Sequence, residues 1–412
     1  MTNLFNSDFR TCDQEVVTGR ITPWWDVGAF GMSVVVRQMF FYWKNIVISS
    51  QWKRRLSIRV AFFSVLLVAV FYALPGQVLA AQVSGLYKTE VPVESQGDRD
   101  RKKAMGEALG RVLVNVTGET RALANDALKK AMADPDGYVK GYSYRRENTS
   151  GQLQQYLQVT FVEDAVNRLL RDSGIAIWGA NRPTTLTWLA IDEGSGRNIQ
   201  RGVAANPLVK ALESRFSRRA LPLIFPLMDF EDAQVISPVD VWGLFTSKLE
   251  EASVRYGSES ILAGRLSEAG GIYNGRLSLV FRGQRQDAEI AGLNHEQLAL
   301  VAADLVGSTL ARHYAIVSAD SKGKSVLVIE SINSVKDYAA LTSYLEKLTA
   351  VRSVQVRRVS GSELELELSI DGYQSQLADA IALGRKLKRL EKTKASVSGD
   401  TTAPLYYRWL GR

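Results

Sequence analysis

The chain has 412 residues, 46% of them hydrophobic and 23% charged, which is a globular composition with room for several domains. Half of its net charge of +8 falls in the first 80 residues, so the remainder is weakly basic and lacks the clustered basic stripe that nucleic-acid binding needs. Its one cysteine, Cys12, leaves everything downstream without disulfides, thiolate metal sites, cysteine nucleophiles or a lipid-bearing cysteine.

Residues 1–52 read as an extension outside any domain, with Trp24-Trp25 and a broken apolar run from Val34 to Tyr42, ahead of a later start such as Met39. Residues 53–80 have the layout of a signal peptide or membrane anchor. Lys53-Arg54-Arg55 and Arg59 precede the uncharged run Val60–Leu74, Pro75-Gly76 breaks it, and Val78 and Ala80 supply the small residues of a cleavage site. The run is short for a membrane span. The expectation is therefore an exported, periplasmic protein. An uncleaved 60–74 segment would instead anchor it to the inner membrane, with the rest outside and no other membrane contact.

Three segments follow, and together they predict an α+β protein of three small mixed α/β domains. In 83–180, Leu86–Val93 alternates as a strand, and Met105, Leu109, Val112 and Val116 recur at helical spacing from a start at Asp98 to a stop at Gly118. A second helix covers 121–133, Tyr138–Arg146 and Leu153–Phe161 form a hairpin, and a helix at 162–172 leads to a short strand at Ile175–Trp178. In 184–317, the order βαβαββα places helices on a mixed sheet. Its signals are a strand at Thr185–Ile191, the Asn206-Pro207 helix start, an apolar strand at Leu221–Leu227 with proline at its ends, and a capping box at Ser237–Asp240. From that box Trp242, Phe245, Leu249 and Ala252 share one helical face. A hairpin over Gly270-Gly271 and an amphipathic helix from Asn294 complete the segment.

In 324–412 the order βαββαβ is ferredoxin-like. Val326–Glu330 is a strand, a helix starts at Ser334, and Leu364, Leu366, Leu368 and Ile370 alternate with glutamates. A helix at 374–390, a polar linker at 394–403 and an aromatic strand at Leu405–Leu410 close the chain. A two-residue loop after Ser360 would set Val356 against a glutamate. A three-residue loop, Ser360–Ser362, pairs Val356 with Leu366 and Arg357 with Glu365, and is the register predicted here.

Chemistry is sparse. The Lys322-Gly323-Lys324-Ser325 string lacks the glycine of a phosphate-binding loop, and Gly194-Ser195-Gly196 lacks the third glycine of a dinucleotide loop. The two histidines, His295 and His313, lie about five turns apart on one helix and cannot share a metal there. Asp229, Glu231 and Asp232 follow a strand, and with Asp192-Glu193 on a neighbouring loop they are the one set that could hold a divalent ion or act as acid and base. The bland alternative is a solvated turn. Tyr138, Tyr142, Tyr144 and Tyr156 on one hairpin, with Trp178, Trp188, Trp242 and Trp409 elsewhere, could bind glycan or protein, or could simply pack.

Several strings occur together: Leu113–Gly118, Trp178-Gly179 with Arg182-Pro183, Leu221-Pro222 to Pro226-Leu227-Met228-Asp229, and Asp240–Gly243. On these the chain resembles, over roughly 83–315, the proteobacterial family known as domain of unknown function 2066, uncharacterised envelope proteins. The middle segment also looks like the small α/β domains of envelope assembly proteins. The resemblance carries over no catalytic residue and no cofactor. The functional expectation is a non-enzymatic periplasmic interaction or assembly module whose partner is another envelope protein. The alternatives are a metal-dependent hydrolase centred on Asp229, Glu231 and Asp232, and a cell-wall glycan binder.

Overall fold

The computed structural model describes residues 83–149, 152–202, 206–317, 323–391 and 404–411. The extension, the leader and the 394–403 linker lie outside the described residues. The described chain is a mixed α/β protein with three sheets and about ten helices.

The first sheet has the order β1 (Lys88–Pro92), β3 (Gln152–Phe161), β2 (Val139–Thr149), all antiparallel. Strand period sends Leu157, Val159 and Phe161 to one face. There they bury against α1 (Asp98–Thr117), α2 (Asp126–Ala133) and α3 (Glu163–Asp172) through Leu109, Val112, Val116, Leu128, Val166 and Leu170. Each such burial contributes about 1.5–3 kcal/mol. Asp98 opens the first turn of α1 as a dipole charge and not as its cap, which is Gly97. The predicted 121–133 helix is a 3₁₀ turn, Thr120–Ala124, followed by α2, because the Asn125 side chain caps a new helix. The predicted strand at Ile175–Trp178 reduces to one bridge between Ile177 and Ile316.

The central sheet has the order β5 (Arg197–Ile199), β4 (Thr185–Asp192), β7 (Ser260–Ala269), β8 (Ile272–Phe281), β9 (Gln284–Asn294), with β6 (Leu223–Ile224) also on β4. Strand β4 is buried on both faces. Leu189 and Ile191 pack under α4 (Pro207–Arg218) and α8 (His295–Tyr314). Leu186, Trp188 and Ala190 pack under a layer of three short helices, α5 (Phe230–Val235), α6 (Pro238–Trp242) and α7 (Thr246–Ser253). The capping boxes at Ser237 and Asn294 form as predicted. The single helix expected after Ser237 is broken at Gly243-Leu244, where Leu244 takes a φ of 51°. Strand β6 has two residues because Pro222 and Pro226 flank it. Strand β9 was not predicted: it is an edge strand whose exposed side chains are mostly polar, so its pattern looks like loop.

The third sheet has the order β11 (Val351–Ser360), β12 (Glu363–Ile370), β10 (Gly323–Glu330), β14 (Leu405–Trp409), β13 (Leu387–Arg389). The buried face of β12 meets Leu341 and Leu345 of α9 (Val335–Glu346) and Leu377 and Ile381 of α10 (Gln374–Gly384). Its glutamates face outward, where Lys324 and Arg357 pair with Glu367, and Arg358 with Glu365. The predicted three-residue loop is a two-residue one: Ser360 pairs with Glu363 across Gly361-Ser362. Val356 still meets Leu366, because a bulge before Arg358 takes up the extra residue. The predicted 374–390 helix ends at Gly384, and Leu387–Arg389 after it is edge strand β13. In a ferredoxin-like order the last strand would run antiparallel to β10. Here β14 runs parallel to β10 and lies between it and β13.

Candidate functional site

The carboxylates singled out in the sequence do come together, and they come together around an arginine. Asp229 is the N-cap of α5 and accepts from the Asp232 N–H at 3.1 Å. Arg255 reaches it from the 3₁₀ turn Val254–Tyr256, donating from Nη1 to Oδ1 at 2.7 Å and from Nη2 to Oδ2 at 2.9 Å. The same Nη1 lies 3.0 Å from Asp232 Oδ1, and Nη2 lies 3.4 Å from Glu231. Asp232 is 1% exposed, and its Oδ2 accepts from the Met228 N–H at 2.8 Å and from the Tyr256 hydroxyl at 2.5 Å. That hydroxyl in turn accepts from the Leu227 N–H at 2.9 Å.

The electrostatics follow from this geometry. The Arg255 fork, with backbone N–H groups behind it, pulls the Asp229 carboxyl down to about 2, and Asp229 in return raises Arg255 above its ordinary range. Burial first, and then the bond to Asp232, pushes the Tyr256 hydroxyl up to about 12. The cluster gathers three acidic side chains around one guanidinium, and the cation at its centre is a side chain. Among the described residues no group of three or more His, Cys, Asp or Glu is placed to hold a metal ion. Asp192-Glu193 does not join the cluster. Asp229 follows β6, which pairs with the first two residues of β4, whereas Asp192 ends β4 and pairs with Arg197 at 3.5 Å. Gly194 caps the Asp192 side chain in the β4–β5 turn, and Gly323-Lys324-Ser325 lies in β10, so neither glycine string forms a phosphate cradle.

The four hairpin tyrosines do not share a face. Tyr142 and Tyr144 pair with Val159 and Leu157 and lie on the helix side, edge to face at 6.0 Å, with Arg101 of α1 over the Tyr142 ring. Tyr138 precedes the strand and packs on the same core. Tyr156 alone is on the open face, beneath the Arg145 guanidinium at 5.1 Å. Trp178, Trp188 and Trp409 are buried, and Trp242 is half-buried under Arg197 at 4.2 Å. His313 bonds Asp379 of α10 at 3.1 Å, a contact between the central and last sheets.

A feature that the sequence reading missed is a buried arginine with no carboxylate. Arg182 is 1% exposed and donates to the carbonyls of Asn115, Trp178, Gly179, Arg219 and Ala220, with its guanidinium 4.2 Å from the Trp178 ring. Those carbonyls include ones at the C-terminal ends of α1 and α4, where the helix dipole is negative. Beside it Arg219 bonds Asp304 and the Gly118 carbonyl. The only sequence signal was Arg182 next to a proline in a polar junction, which gives no hint of burial.

Residues 80–179 match the family described as Domain of unknown function (DUF8605). No curated protein matches the chain. The resemblance to domain of unknown function 2066 is thereby corrected: the family that matches is a different one and covers the first segment alone. Two of the four strings that suggested the other family, Leu113–Gly118 and Trp178 to Arg182, meet at the buried guanidinium. They report a packing solution, and packing strings are weak markers of kinship.

Proposed function

We propose that this chain is an exported envelope protein that works as a non-catalytic interaction or assembly module. In this reading it comprises three α+β units at 83–180, 184–317 and 324–412, the last a variant of the ferredoxin-like arrangement with one strand inserted. The observation that carries the reading is Arg255. It takes up the carboxylates that a hydrolase would need free for a metal ion or a proton transfer. The leader pattern at 53–80 supports the compartment.

The test has two arms. A reporter enzyme active only outside the cytoplasm, fused behind residue 81, is expected to be active, and crosslinking in the native envelope is expected to recover a defined protein partner. Reporter activity confined to the cytosol removes the compartment. Calorimetric binding of Mg²⁺, Mn²⁺ or Zn²⁺ that disappears in Asp229→Asn restores the hydrolase.

A further inference from the structure

We propose that the α5–α7 layer is a docking surface for a partner segment that carries apolar anchors among Lys and Arg residues. The inference rests on the interaction-module reading and names its partner chemistry. Leu227, Phe230 and Val254 are 64%, 78% and 77% exposed, among the largest exposures of any apolar side chain described. All three adjoin the ion cluster in the chain. The Leu227 N–H is fixed on the Tyr256 hydroxyl, Phe230 follows the capping Asp229, and Val254 precedes Arg255. The backbone that presents them is therefore pre-ordered, which lowers the entropy cost of docking.

Charge selects among occupants. Residues 227–255 contain six acidic side chains, Asp229, Glu231, Asp240, Glu250, Glu251 and the buried Asp232, against Lys248, Arg255 and, over Trp242, Arg197, in a chain whose net charge is +8. Asp229 stays ionised down to low pH, and the Glu231 side chain is 66% exposed beside it. An anionic membrane would be repelled by this layer. A second copy meeting it face to face across a two-fold axis would oppose like charges. A cationic apolar segment satisfies both features at once.

The probe is a synthetic amphipathic peptide of Leu and Lys, with Leu/Glu and Ser/Lys versions as comparisons, titrated into the purified protein by fluorescence anisotropy. The Leu/Lys peptide is expected to bind, with affinity at least tenfold weaker in Phe230→Ser, in Val254→Ser and in Glu231→Lys, while Phe230→Ser and Val254→Ser keep the parent unfolding midpoint. Leu/Lys affinity unchanged in Phe230→Ser and Val254→Ser overturns the proposal, as does equal binding of Leu/Glu. Two further results also overturn it: attachment to phosphatidylglycerol vesicles that Phe230→Ser abolishes, and a dimer that Phe230→Ser dissociates. A photo-crosslinker placed at position 230 or at position 156 in the native envelope separates the two levels. Protein crosslinks from 156 alone sink this surface and leave the interaction module standing, and none from either position sinks both.

Discussion

Tyr256 bridges the Leu227 N–H and the buried Asp232 carboxylate, so one hydroxyl serves two groups, one of them shut off from solvent. Tyr256→Phe keeps the edge contact with Trp188 at 6.1 Å and deletes only that oxygen. The expected cost is about 1–3 kcal/mol, the range for an unsatisfied buried polar group, read as a lower urea midpoint with unchanged slope. Asp229 allows a cleaner test of charge. Its folded pKa is depressed to about 2 from an ordinary 3.8, so its contribution is fully present above pH 4 and is lost as pH falls toward 2. Asparagine caps helices as well as aspartate does, so Asp229→Asn isolates the charge. The variant is expected to be less stable than the parent at pH 7 and to converge with it between pH 4 and pH 2. A constant gap across that window would mean that the Arg255 pair contributes nothing.

At the scale of elements, what was legible had local causes. The Ser237 and Asn294 capping boxes, the Asn206-Pro207 helix start and the alternation of Leu364, Leu366 and Leu368 each depend on neighbours within a few residues, and each formed. What was not legible depends on distant partners. Strand β9 exists because β8 offers it an edge, β14 enters the sheet between strands far away in sequence, and Arg255 lies 26 residues from the Asp229 it neutralises. The candidate site was therefore half visible: its carboxylates were evident, and the arginine that fills them was not. Gly118 shows a signal that was read for too small a reason. Its left-handed φ of 77° suits the end of α1, but a Cβ there would also lie 2.5 Å from the Ala311 Cβ on α8 and 2.7 Å from the Trp178 ring. Gly118→Ala is expected to cost about 3 kcal/mol, combining the backbone and overpacking penalties. Adding Ala311→Gly should recover only part of it, since the φ strain stays and glycine weakens α8 by about 1 kcal/mol. Full additivity of the two losses in denaturant titrations would show that the Ala311 contact is not what limits position 118.

For the whole molecule, the question is whether the first and central sheets fold as one unit. The family match ends at residue 179, which invites the view that 80–179 is a separable domain. The packing opposes it. Trp178 belongs to the central core and stacks on Tyr314 at 6.4 Å, the Trp178 N–H donates to Val116, and Arg182 ties α1 to the end of α4 through carbonyls on both. Burial and the neighbouring Arg219 hold the Arg182 pKa below its ordinary range, so the charge is kept in place by those carbonyls and by the Trp178 ring. A lysine offers three donors from one point and cannot span acceptors on two helix ends as a planar fork does. Arg182→Lys and Arg182→Met are therefore expected to be about equally damaging, each by about 3 kcal/mol. In calorimetry the parent should unfold its first and central sheets in one transition, and either variant should split that transition in two. An excised 83–178 fragment should lack a cooperative melt, because Asn115, Gly118 and Trp178 lose Arg182, Arg219 and Tyr314. A fragment that melts sharply at the parent temperature would show that the guanidinium joins two domains already stable apart.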